Sequence, residues 1–189
     1  MRSRVAILFT VLGHPLILGT AYVIVMAIAN FPGDTALLLS LLVIGLIALP
    51  ITIHNLRKLK TGAYSNFDVS DQNQRKGFYP FAISLFILLI LTFYILEFPK
   101  GVLLNTGNFL IMLVAMALVN LRIKASLHAA IAFYAGISIF SVSSVGGLSL
   151  LALAMATTWS RLELKKHSSL ELAIGSMMGL FFGIISLNL

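Results

Sequence analysis

The chain has no cysteine. That absence excludes disulfides, thiolate nucleophiles and cysteine-based metal sites. Charge is nearly as scarce: 10% of the 189 residues are charged, where a soluble domain carries about 25%. Acidic residues are rarest, six against 13 lysines and arginines. No polar stretch is long enough for a separate soluble domain, and there is no internal repeat or low-complexity tract. The net charge of +7 does not indicate nucleic acid. The basic residues sit in short loops between apolar stretches, where the positive-inside rule and anionic lipid or phosphate account for them.

What is present in abundance is apolar: 59% of positions, in runs that recur along the whole chain. This predicts an all-α polytopic transmembrane helical bundle, one domain over 1–189. Candidate spans are 5–29, 36–54, 79–97, 102–121, 126–142, 145–159 and 169–188. The fifth and sixth are short and meet at Gly146-Gly147, as a tight hairpin or one broken region, so the count is six or seven. The N-terminus imitates a secretory signal, but its apolar run from Val5 to Ile28 exceeds the ~7–15 residues of a signal core and is interrupted by His14-Pro15. It is read as the first span. Pro80 suits the first turn of its helix. Pro50 falls late in the second span and is placed to kink it. The small residues around Gly136–Ser138 and Gly175–Gly179 permit close helix contacts. Trp159 and either Tyr64 or Tyr79 read as interface anchors.

Loop charge alternates sharply. With seven spans, one side holds the N-terminus and loops 55–78, 122–125 and 160–168, with twelve of the 13 basic residues; the other holds only Lys100. Without Arg75, Lys124 and Arg161 the ratio is still nine to one. The basic side is therefore cytoplasmic, in a bacterial-type inner or plasma membrane.

The polar chemistry falls on that same side. Ser160-Arg161-x5-His167-x3-Glu171 forms one compact constellation between apolar stretches. Cleaving a phosphoester takes fixed positive charges and N–H donors around the phosphate, an in-line nucleophile, and an acid for the leaving oxygen. A histidine nucleophile needs its second nitrogen held by a carboxylate, and His167 and Glu171, four apart, share a helix face. His128 is the candidate acid. Ser126 and the Leu127 N–H lie at the expected start of a span, where helix N-terminal donors favour anions. Arg75, Lys124 and Arg161 are candidates for a cationic clamp.

These residues resemble the motifs of the type 2 phosphatidic acid phosphatase (PAP2) superfamily. Ser160-Arg161…His167…Glu171 looks like the third motif, which normally ends in Asp. Ala125-Ser126-Leu127-His128 is similar to the second, Pro-Ser-Gly-His. Arg75, followed by Lys76, falls where the first, Lys-x6-Arg-Pro, is expected, with Asp68 at the lysine position. The resemblance covers about 54–175. It implies a helical-bundle fold and metal-independent, cofactor-free removal of phosphate from a lipid such as phosphatidate, phosphatidylglycerol phosphate or a polyprenyl phosphate. His167 would form a phosphohistidine, Glu171 would orient it, and His128 would protonate the leaving group. Arg75, Ser126, Leu127 and Arg161 would hold the phosphate, with Lys124 supplying the charge missing at position 68.

Each residue also has a plainer reading. Ser168-x-x-Glu171 is a capping box for the last span. Arg161, Lys165 and Lys166 are possible positive-inside charges, and His128 an interfacial polar residue. His14, inside an apolar run, reads as structural and turned to the bundle interior beside Pro15. The rival functions are a lipid phosphotransferase using the same histidine, and a transporter or structural membrane protein with a decayed site.

Overall fold

The computed structural model describes residues 2–189. Met1 and the Arg2 side chain, both in the basic N-terminal flank, lie outside the described residues. Helices α1 (Arg2–Leu12) and α2 (Pro15–Asn30) come first. Helices α3 (Gly33–Val43) and α4 (Leu49–Lys60) follow, joined by a π turn, Ile44–Ala48. Then come α5 (Gln72–Ile95), α6 (Lys100–Asn120), α7 (Leu127–Ser138), α8 (Ser144–Glu163) and α9 (Ser169–Ser186). No strand occurs among the described residues.

The helices are apolar outside and polar inside. Ile95 and Val145 are 74% and 76% exposed, whereas Arg161, Ser126, Thr157 and Ser160 are at 0%. Water would impose the reverse; lipid imposes this, because in hydrocarbon only buried polar groups find partners. Among the described residues, four helices are long and apolar enough to cross a bilayer: Gly33–Lys60, Gln72–Ile95, Lys100–Asn120 and Ser169–Ser186. Helices α1 and α2, bent by 46° at their junction, bring this to five if they form one span. Against the seven expected segments, α7 is only 12 residues long. Helix α8 has 20 residues, but its last two turns carry Thr157, Thr158, Ser160 and Arg161.

Local chemistry explains the breaks. His14 caps α2, its Nδ1 accepting from Leu16 N at 3.2 Å, and Pro15 occupies the first turn. There the missing proline N–H costs nothing. Pro50 comes two residues after the π turn ends at Ala48, a usual way to relieve the clash of a proline ring with the preceding turn. Two expectations fail. Pro80 lies inside α5, not in its first turn, because Asp71 starts the helix early by accepting from Asn73 N and Gln74 N at 2.9 and 3.0 Å. The expected span ends at 142 and 145 match, since a 3-10 turn carries α7 on to Ser141, but the break lies before the glycine pair and not at it, where Ser143 caps α8 by accepting from Gly146 N at 3.0 Å.

The chain forms two compact units, Met1–Ser40 with Ala125–Leu189, and Leu41–Lys124. In the first, α7 is the core: nine of its residues are buried, among them Ala129, Ala130, Ala132 and Ala135. Helix α9 packs on it through Gly175, Gly179 and Gly183, where an added Cβ would meet the carbonyl oxygens of Ser126, Ala130 and Tyr134. Each pair is 49 residues apart, so the two helices run parallel, backbone on backbone. Ser138 and Ser186 continue the seam with a hydroxyl–hydroxyl bond of 2.5 Å.

In the second unit α5 packs on α6. Gln72 Nε2 donates to Asn120 O at 2.7 Å, and Asn120 Nδ2 returns to Gln72 O at 3.2 Å. The segment after α4 is pinned by Asn55 Nδ2 to Phe67 O at 3.1 Å and by His54 Nε2 against the Tyr64 hydroxyl at 3.1 Å. Tyr64 and Tyr79 are buried in this unit and are not surface anchors. Burial pushes the Tyr64 phenol above its ordinary value, so it stays protonated beside His54.

The close seam makes a testable distinction between glycines. Gly179→Val, forced against Ala130 O and Phe133, is expected to cost about 1–3 kcal/mol through overpacking. Gly107→Ala meets nothing within 4 Å and should stabilise α6 by about 0.5–1 kcal/mol. Thermal unfolding in detergent reads both.

Candidate functional site

The turn between α8 and α9 is built by the backbone. Lys165 takes a left-handed conformation, φ 51°. Its N–H bonds to Leu162 O at 3.0 Å, and the Lys166 N–H reaches back to Arg161 O at 3.0 Å. This Schellman pattern closes the α8 C-terminus, and the chain reaches α9 after five residues. It gives Arg161-x5-His167 a structural meaning: the arginine ends one helix, the histidine immediately precedes the next, and the turn folds them back together. Arg161 is fully buried, the largest side chain so enclosed. A guanidinium is kept in such a place only where charge or hydrogen bonding compensates its desolvation.

His167 is held next. Its Nδ1 lies 2.8 Å from Glu171 Oε2, with side-chain exposures of 0% and 20%. The same Oε2 accepts from Ser168 N at 3.2 Å, and Ser168 Oγ accepts from Glu171 N at 3.3 Å. The capping box is therefore real, and the catalytic-looking contact is real as well, made by one oxygen. A carboxylate only accepts, so Nδ1 carries the hydrogen and the lone pair falls on Nε2. Nε2 is buried. This is the tautomer a histidine nucleophile needs.

Ser126 N donates to Glu171 O at 3.0 Å, lashing the start of α7 to the start of α9. Ser126 caps α7, its Oγ accepting from Ala129 N at 3.4 Å. Two parallel helices thus begin side by side, and the positive ends of their dipoles add. Leu127 is half-buried in the first turn of α7, and His128 is buried at 2% exposure. The first unit therefore brings together Ser126, Leu127, His128, Arg161, His167 and Glu171, from three helix ends. Ser160, next to Arg161, ties α8 to α1 through Thr10 Oγ1 at 2.9 Å.

Arg75 and Lys124 belong to the second unit. Arg75 lies in the first turn of α5, helical where a loop was expected, and is 3% exposed. Its Nε donates to Val69 O at 2.8 Å. Val69 itself has φ 48°, a strained conformation for a β-branched residue. Lys124 is half-buried in the segment after α6.

One neighbour escaped the sequence reading. The His14 ring stands edge-on to His128, with centroids 5.4 Å apart and planes at 88°. The available signal was an ionisable residue in the middle of an apolar run. Its place at the bend hid the partner, which is more than a hundred residues away in sequence.

The turn also yields a stability prediction. Lys165→Gly should gain up to about 1 kcal/mol by removing left-handed strain. Ser168→Ala should lose about 1 kcal/mol with the cap. Chemical unfolding in detergent measures both, and a destabilised Lys165→Gly would contradict the turn geometry. Comparison of the chain with family models, with curated proteins and with solved structures finds no match.

Proposed function

We propose that this protein is a membrane-embedded lipid phosphate phosphatase of the type 2 phosphatidic acid phosphatase kind, acting on a phosphomonoester or diphosphate carried by a lipid. The observation that carries the reading is the buried His167 with Nδ1 held 2.8 Å from Glu171, at the end of the turn that begins with the enclosed Arg161. A structural histidine needs a hydrogen bond. It does not need a carboxylate on one nitrogen, a buried arginine at the other end of its turn and a second buried histidine on the adjoining helix start.

The steps follow from the side chains. Arg161, Ser126 and the N–H groups at the start of α7 take up the phosphate charge. His167 Nε2 attacks phosphorus in line as the bond to the lipid oxygen breaks. His128 gives that oxygen its proton. Glu171 holds the imidazolium that forms, which raises the nucleophilicity of Nε2. Water, deprotonated by His128, then attacks the phosphohistidine, releasing phosphate and restoring both histidines. The apolar outer faces of the helices suit a substrate that keeps its tail in lipid while its headgroup meets the polar ends.

The chain is read as crossing the membrane seven times, with α1 and α2 as one bent crossing and α7 and α8 as short ones. The basic loops then place the site on the cytoplasmic face. A reporter fused after Leu189 is expected outside; an inside signal would support six crossings and overturn the orientation.

Phosphate release from a panel of lipid phosphates tests the chemistry. Loss of the nucleophile in His167→Ala should abolish turnover. His128→Ala should lower it by about 10²–10⁴-fold, the usual worth of a general acid. Glu171→Gln retains a capping-box residue and should keep the fold while losing most activity. Equal activity of wild type and His167→Ala would remove the assignment. Phosphate appearing on an added alcohol would make the enzyme a phosphotransferase, and a wild type inert across the panel would leave a non-catalytic membrane protein.

A further inference from the structure

Of the eight basic residues in the second unit, all but Lys100 gather at one end of it, beside two acidic residues, Asp68 and Asp71. That end joins the finish of α4, the start of α5 and the finish of α6. Asn55 and Arg75 hold the connecting segment at Phe67 O and Val69 O, and Gln72 and Asn120 bond to each other. The sequence placed Arg57, Lys58 and Lys60 in a loop; the structure puts them in the last turn of α4, so each has a definite face. A helix turns about 100° per residue. Leu49, Ile53, Leu56 and Lys60 therefore share one face, with Arg57 beside them and Lys58 on the opposite side. Leu49, Ile53 and Leu56 are 52%, 47% and 43% exposed, and Arg57 and Lys60 are exposed as well. The span that α4 completes has 28 residues, where a crossing takes about 20. Its basic turn thus reaches the headgroup layer, with the apolar row in the hydrocarbon beneath it.

We propose that this face of α4 binds an anionic phospholipid: an acyl chain lies along Leu49, Ile53 and Leu56, and Arg57 and Lys60 hold the phosphate. The binding is independent of the phosphatase reading. From Leu49 to Lys60 the helix rises about 16 Å, the depth of one hydrocarbon leaflet of about 15 Å. Arginine offers a planar fork to two phosphate oxygens, and lysine a mobile point charge beside it. A phospholipid matches both halves of the face at once. A soluble acidic partner matches only the basic turn, because the row below it lies in hydrocarbon. Charge that merely orients a span has no need of a face, whereas here two of the three basic residues continue the apolar row.

The test separates a site from a general attraction of charge. The full-length protein in neutral detergent is titrated with phosphatidylglycerol or with phosphatidylcholine of the same acyl chains, and bound lipid is counted by native mass spectrometry. Wild type should bind phosphatidylglycerol at least about tenfold more tightly, since each basic residue at a membrane surface contributes roughly fivefold toward an anionic lipid. Arg57→Gln with Lys60→Gln should lose most of that preference. It should bind phosphatidylcholine as before and unfold at the wild-type temperature, because both side chains are exposed. Arg57→Lys with Lys60→Arg keeps both charges and should keep the preference. Lys58→Gln with Lys100→Gln removes as much charge away from the face and should change the preference less than twofold. An equal loss in that pair would show that net charge alone attracts the lipid and would overturn the site. Equal binding of the two phospholipids by wild type would overturn it too. Soluble glycerol phosphate should not compete; displacement of phosphatidylglycerol by it would make this a site for free phosphate and remove the lipid assignment.

Discussion

The site hangs on Glu171. One carboxylate oxygen receives His167 Nδ1 and the Ser168 amide, and the backbone carbonyl of the same residue receives the Ser126 amide. Three demands meet there: an unsatisfied helix N-terminus, a histidine tautomer, and the docking of α9 against α7. They are compatible because the first turn of a helix offers both exposed amides and a favourable field for negative charge. The plain reading of Glu171 as a cap and the chemical reading are thus two descriptions of one hydrogen-bonded centre. The extra methylene of glutamate over aspartate supplies the reach to serve both partners.

That centre depends in turn on the glycine seam. Gly175, Gly179 and Gly183 let α9 lie on the backbone of α7 at a constant offset. Parallel packing puts both helix starts at one end, where Ser126 N is bonded to Glu171 O, and the turn that bonds Lys166 N to Arg161 O leads into the start of α9. In hydrocarbon the hydrophobic effect does not drive helices together. Close backbone contact and buried hydrogen bonds do that work. Polar residues of the first unit therefore act as adhesive, as the Thr10–Ser160 and Ser138–Ser186 hydroxyl pairs show.

Much of this was legible beforehand for definite reasons. Apolar runs of span length announce helices because a bilayer accepts little else, and Ser126 and Ser168 announced helix starts because their side chains cap. His167 and Glu171 were legible as a pair because four residues on a helix return to the same face. The start of α5 was not, because the Asp71 cap draws the polar stretch holding Arg75 into the helix where composition suggested a loop. The span ends at 142 and 145 fell within a residue or so of the observed ones, but the break was assigned to Gly146-Gly147, whereas Ser143 starts α8 ahead of them and Gly147 makes room for Phe140.

The sequence by itself determined the all-helical class, the membrane as solvent, and the His167–Glu171 pair, since each follows from composition or from spacing within one element. Only the tertiary structure decided that α7 and α9 run in parallel register, that Ser126 is bonded to Glu171, that Lys165 turns the chain behind Arg161, and that His14 faces His128. These join segments far apart in the chain or rest on a backbone conformation that no residue type dictates, and close backbone contact and hydrogen bonding select them.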